Sequence, residues 1–143
     1  MIAIEDIYEL PEGVTADFIN PYFRLVIKWD GGFEEKLNLL LELSDKQWHT
    51  YSLLDYETRH FLDKWITSNW DFTSFNQAET ITSIASLLGL EGVLVMSKEV
   101  LNENISEDVR EEIESFIDEL NENINDPYSG MRNIDKSSNT SST

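Results

Sequence analysis

Residues 22 to 29, YFRLVIKW, alternate: Phe23, Leu25, Ile27 and Trp29 point one way, and Tyr22, Arg24, Val26 and Lys28 the other. That is the period of a strand with one buried face. Asp30-Gly31-Gly32 follows, a run that tolerates the positive φ of tight turns, and a period of two resumes from Phe33 to Leu43 with Leu37, Leu39, Leu41 and Leu43 on one side. Two alternating runs about a glycine turn predict a β-hairpin. The competing reading is a helix over FEEKLNLLLEL, whose Leu, Glu and Lys favour one. Ile2 to Tyr8 is a candidate further strand.

After Leu43 the period lengthens. Ser44 with Gln47 has the form of a capping box for a short helix that turns Trp48 and Tyr51 inward. Asp55 caps a second helix whose apolar stripe is Thr58, Phe61, Leu62, Trp65 and Ile66. The loop NWDFTSF, residues 69 to 75, breaks that pattern. Asn76 then caps a helix with Ala78, Ile81, Ile84, Ala85 and Leu88 inward, closed by Gly89 as a left-handed cap. From Leu90 to Asn104 the run GVLVM suits a buried strand, but Leu90, Leu94, Ser97 and Leu101 share one helical face, which favours a helix. Ser106 caps the last helix, with Val109, Ile113, Phe116, Ile117, Leu120 and Ile124 inward and Asn125-Asp126-Pro127 as its end.

The fold class expected is therefore α+β: an N-terminal β-hairpin or small antiparallel sheet packed against a predominantly helical C-terminal two-thirds. A single domain is expected over residues 1–127, followed by a flexible polar tail, 128–143, with too little apolar surface to offset its ordering entropy.

Charge changes the picture. The chain carries 28 acidic residues against 10 basic ones, a formal net charge of −18. That sum repels nucleic acid and anionic membrane surfaces and attracts basic proteins. Four Trp, seven Phe and five Tyr argue against disorder for most of the chain. The absence of Cys excludes disulfides and thiolate chemistry and fits a reducing cytoplasm. MIAIEDIYELPEGVTADFIN has neither the basic start nor the apolar run of a secretory signal.

No motif points to catalysis, and no enzyme, metal or cofactor is expected. Glu57 and His60 have the spacing of one di-iron half-site, but His49, the remaining histidine, lacks its matching glutamate. Asn121, Asn123 and Asn125 start like a calcium loop, which fails where its glycine is Asp126 and its twelfth residue is Arg132. The glycines form neither a dinucleotide-binding loop nor a P-loop.

What stands out is acidity late in the chain. From Glu99 to Asp126 there are eleven carboxylates and one arginine. Winding the last helix at about 100° per residue sets Glu107, Glu111, Glu114, Asp118 and Glu122 opposite its apolar stripe. Such faces are usually solvation, yet like charges four apart repel, and Glu119, Glu122 and Asp126 crowd the negative end of the helix dipole. Local rules broken without visible compensation suggest a cationic partner. Trp70 and Phe72, in the loop, are the candidate aromatic anchors for the same partner.

In size, acidity, aromatic content and lack of cysteine the chain resembles the small acidic immunity proteins that accompany bacterial toxins, including those of contact-dependent growth inhibition. The resemblance implies a partner: a basic toxin domain, often a nuclease, neutralised by tight binding in the cell that makes it. A phosphate-attracting cleft can be covered by a carboxylate-rich surface, which gives that reading its physical sense. The rival within binding proteins is a nucleic-acid mimic that blocks a DNA- or RNA-binding enzyme.

Overall fold

The computed structural model describes residues 3–11, 14–50 and 54–120. Among them every regular element is helical: a 3-10 segment at Ile4–Glu9, then α1 (Ala16–Lys28), α2 (Phe33–Trp48), α3 (Tyr56–Asn69), α4 (Phe75–Leu88), α5 (Glu91–Val100) and α6 (Glu107–Leu120). The expected α+β plan is thereby overturned. No β-hairpin exists among the described residues, and the candidate strand from Ile2 to Tyr8 is the 3-10 segment from Ile4 onward.

The reason lies in which residues α1 buries. Ile19, Tyr22, Phe23 and Val26 are inside, at spacings of three, one and three, while Leu25, Ile27 and Trp29 are only partly covered. Over eight residues both periods put Phe23 inward; Ile19, one turn upstream, decides for the helix. Thr15 starts it by accepting a hydrogen bond from the Phe18 N–H at 3.2 Å. Pro21 lies inside the helix, on its exposed side like Asp17, whose carbonyl it leaves without an intrahelical donor.

Asp30-Gly31-Gly32 joins two helices that pack on each other rather than two strands. Neither glycine there takes a positive φ; among the described glycines Gly89 alone does. Gly31 is needed for another reason: a Cβ there would collide with the Trp29 ring. The Gly32 N–H is satisfied by Glu35 Oε1 at 2.9 Å, and Lys36 Nζ donates to the Ile27 carbonyl at 2.7 Å, tying α2 to the end of α1. The helix-forming character of FEEKLNLLLEL prevails, and Leu37, Leu40, Leu43, Ser44 and Gln47 form its inner side. Ser44 is therefore no cap; its hydroxyl donates to the Leu40 carbonyl at 2.6 Å within a helix that continues to Trp48. Tyr51 lies outside the described residues.

Downstream the elements are helices as expected, though in the α3 stripe Thr58, Leu62 and Ile66 are buried while Phe61 is exposed and Trp65 half-buried. Asp55 accepts from the Thr58 N–H at 3.2 Å, and Gly89 closes α4 at φ 75°. The cap of α4 is Ser74, which accepts from Gln77 N–H at 3.2 Å, two residues before the expected Asn76. Leu90 to Asn104 contains α5, with Val93, Leu94, Ser97 and Val100 buried. Residues beyond Leu120, including Ile124 and the expected tail, lie outside the described residues.

α4 is the centre. Ala78, Ile81, Ile84 and Ala85 are wholly buried, the two alanines permitting close approach of its neighbours α2, α5 and α6. Around it α2 packs on α1, α1 on α3, α3 on α5 and α5 on α6. α3 and α6 consequently flank α5, each with one face left to solvent. None of the described helices is long and apolar enough to cross a membrane.

Candidate functional site

α6 presents the acidic ridge. Val109, Ile113 and Phe116 are buried against α4 and α5, with Ile117 and Leu120 partly covered, and Glu107, Glu111, Glu114 and Asp118 are exposed opposite them. Glu122 lies outside the described residues. The ridge has no internal counter-charge: the ion pairs among the described residues are Lys46 with Glu42 at 3.3 Å and His49 with Asp45 at 3.9 Å, both on the α2 side. Arg110, the cation on α6, donates instead to the Leu101 carbonyl at 3.1 Å. Glu112 is turned inward and accepts from Thr82 Oγ1 at 3.0 Å, which docks α6 on α4. Glu107 gains from its place in the first turn. The pairs Glu107 with Glu111 and Glu114 with Asp118 cost a few tenths of a kcal/mol each.

The expected aromatic anchors are placed differently. Trp70 is 6% exposed and belongs to the core, with its indole N–H finding no acceptor among the described residues. Phe72 and Phe75 are partly buried against that core. The loop is held by its own polar groups: Asp71 accepts from the Thr73 N–H at 3.0 Å and the Thr73 hydroxyl at 2.6 Å, and the Asp71 N–H donates to Gln77 Oε1 at 2.8 Å. The two bonds from Thr73 hold the Asp71 carboxyl below its ordinary value. Trp70 therefore offers a partner almost no surface.

A second surface, not anticipated from the sequence, runs along α3. Tyr56 is 67% exposed and Phe61 36%, with Trp65 half-buried between Phe61 and α2. Each ring is held by a cation: the Arg24 guanidinium 5.0 Å from the centre of Phe61, Lys36 Nζ 5.8 Å from Trp65, and the Arg59 guanidinium 6.0 Å from Tyr56. Contacts of this kind contribute about 0.5–1 kcal/mol at exposed sites. Tyr56 also stacks on His60 at 5.9 Å, and Phe33 tilts against Trp65 at 5.1 Å. An open cleft of about 460 Å³ lies along this face, lined by rings, His60, Glu57 and Lys64.

Next to it, Asp63 spans from α3 to α5. Its carboxylate accepts the Gly92 N–H at 2.6 Å and the Val93 N–H at 2.9 Å, capping a helix whose own N-cap residue, Leu90, supplies no side-chain acceptor. A Cβ at position 92 would meet that carboxylate at 2.8 Å, so only glycine lets it come so close. Burial pushes the Asp63 carboxyl above its ordinary value, outweighing the backbone donors and His60, which pull it down. His60 and Asp63 are not joined by a third ligand: no group of three or more His, Asp or Glu among the described residues is placed to hold a metal ion.

The arrangement supports recognition: one helix exposes carboxylates alone, and another exposes rings and cations. Compared with family models, with curated proteins and with solved structures, the chain matches none of them.

Proposed function

We propose that this protein is a non-enzymatic inhibitor of the immunity-protein type, which acts in the cytoplasm by covering the active site or substrate-binding surface of a basic toxin domain, a nuclease. The observation that carries this reading is the α6 ridge, four exposed carboxylates without a basic partner among the described residues. Their mutual repulsion is relieved when a cationic surface meets them, and a phosphate-binding cleft is such a surface. The ridge lacks a large apolar side chain beside it, so its share is orientation and speed of encounter, with the lifetime of the complex resting on contacts elsewhere.

The test starts with capture at low ionic strength from the cell that makes the protein, comparing the wild type with a Glu111→Lys, Glu114→Lys, Asp118→Lys variant. The expected result is a basic protein that the wild type retains, that salt releases, and that the variant fails to hold. Co-expression of the wild type should then relieve the toxicity of that protein. The reading is overturned if the retained protein is not basic, or if both baits retain it equally.

A further inference from the structure

Four of the eight Lys and Arg among the described residues, Arg24, Lys36, Arg59 and Lys64, gather about the rings of α3. Acidic residues outnumber basic ones by nearly three to one in this chain, 28 against 10, so a cationic cluster stands out against the rest, whether or not its members pair with carboxylates. None of these four has a carboxylate within ion-pairing distance among the described residues. Arg24 donates to Thr58 Oγ1 at 3.4 Å and Lys36 to the Ile27 carbonyl at 2.7 Å; Arg59 Nε is buried with no acceptor, and Lys64 is exposed. Asp63, on the same helix, is committed to the N–H groups of α5. Contact with a ring accounts for the positions of Arg24, Lys36 and Arg59, but not for Lys64, which lines the cleft beside those rings.

We propose that the α3 face is a docking site for an acidic segment of a partner protein, one that seats a large apolar side chain against Tyr56, Phe61 and Trp65 and sets carboxylates against Arg24, Arg59 and Lys64. Charge complementarity selects the occupant: this face is cationic on a molecule that is otherwise strongly acidic, and its floor is aromatic. Tyr, Trp and Arg are also the side chains that interfaces favour at their centres. The acidic ridge of a second copy carries no large exposed apolar side chain to fill the cleft, whereas Tyr8 beside Glu5, Asp6 and Glu9 is exposed, so self-association is tested below as the competing outcome. Glu57, a carboxylate lining the cleft, opposes such a segment and tunes its affinity.

The test is fluorescence anisotropy on the full chain with a labelled peptide in which a Trp and a Leu one helical turn apart are flanked by Asp and Glu. One control peptide has both anchors replaced by Ala, and another has every carboxylate replaced by Lys. Non-specific attraction to a protein of net charge −18 favours the lysine peptide, so preference for the acidic one is specific to a local site. The expected result is saturable binding of the acidic peptide, tighter than either control. Lys64→Glu should weaken it severalfold and Glu57→Gln tighten it, with thermal melts unchanged because both side chains are exposed. The α6 charge-reversal variant should bind the peptide as the wild type does or better, which separates this site from the reading above. Equal binding of all three peptides, indifference to Lys64→Glu, or tighter binding of a peptide of residues 121–143 would overturn the proposal. So would a concentration-dependent dimer that Lys64→Glu abolishes.

Discussion

α3 and α6 are both 14 residues long, both amphipathic, and both packed against α5, yet they turn opposite chemistry to the solvent. On α6 the apolar side chains turn in and the exposed ones are carboxylates and Ser115, with Glu112 alone among the carboxylates drawn inward to Thr82. On α3 the apolar residues do not stop at the core, and Tyr56 and Phe61 continue around to the exposed side. A ridge of like charge without an apolar anchor acts at a distance and lets go easily. Rings set among cations act only on contact, after water has been displaced, and they hold. The difference teaches that the acidity of the whole chain and the chemistry that one face turns outward are separate properties of this molecule.

Substitutions at four positions sharpen that contrast. Trp70→Ala should cost the most, about 3 kcal/mol in a denaturant melt, because the loop aromatic is a core side chain whose removal leaves a cavity. A loss under about 0.5 kcal/mol, the range of surface positions, would return Trp70 to the surface.

Asp63→Ala should cost about 1 kcal/mol, the usual loss of a helix cap, by stripping α5 of its acceptor. Asp63 also has a pH signature. Burial raises its carboxyl in the folded state, so the folded protein keeps this proton to a higher pH than the unfolded chain, whose Asp titrates near 3.8. The contribution of this group to stability therefore falls as pH rises from about 3.8 through the raised folded value. Asp63→Asn should remove that slope from the stability profile.

At the small end, Tyr56→Ala should cost no more than about 1 kcal/mol, the loss of its contact with Arg59, since the ring is mostly exposed. Glu111→Lys should raise stability by a few tenths of a kcal/mol by relieving Glu107. A large loss in either would mean that the exposed faces are needed for folding rather than for recognition.

The ridge was legible in the sequence because a helix winds in a known way, and Val109, Ile113 and Phe116 declare which side is in. Asp55 and Gly89 were legible for a similar reason, since their signals are local. The first half of the fold was not. YFRLVIKW satisfies two periods at once, and the glycine turn that favoured a hairpin serves an approach of the Trp29 ring instead. That misreading hid the α3 surface as well: Arg24 comes from α1 and Lys36 from α2, and only the packing of those helices brings them to Phe61 and Trp65. Phe61 reads as core by its spacing and is exposed because α1 covers α3 only in part. The signal that could have found the face was Tyr56, His60 and Lys64 recurring every four residues on the side of α3 away from Leu62 and Ile66.

The central claim is that the α6 carboxylates steer a cationic protein to this molecule, and stopped-flow association with the captured basic partner across a range of salt concentrations tests it most directly. The account predicts a wild-type rate that falls steeply with salt, and a rate for the Glu111→Lys, Glu114→Lys, Asp118→Lys variant that is severalfold slower at low salt and nearly flat. Coincident rates and coincident salt slopes for the two proteins would contradict it.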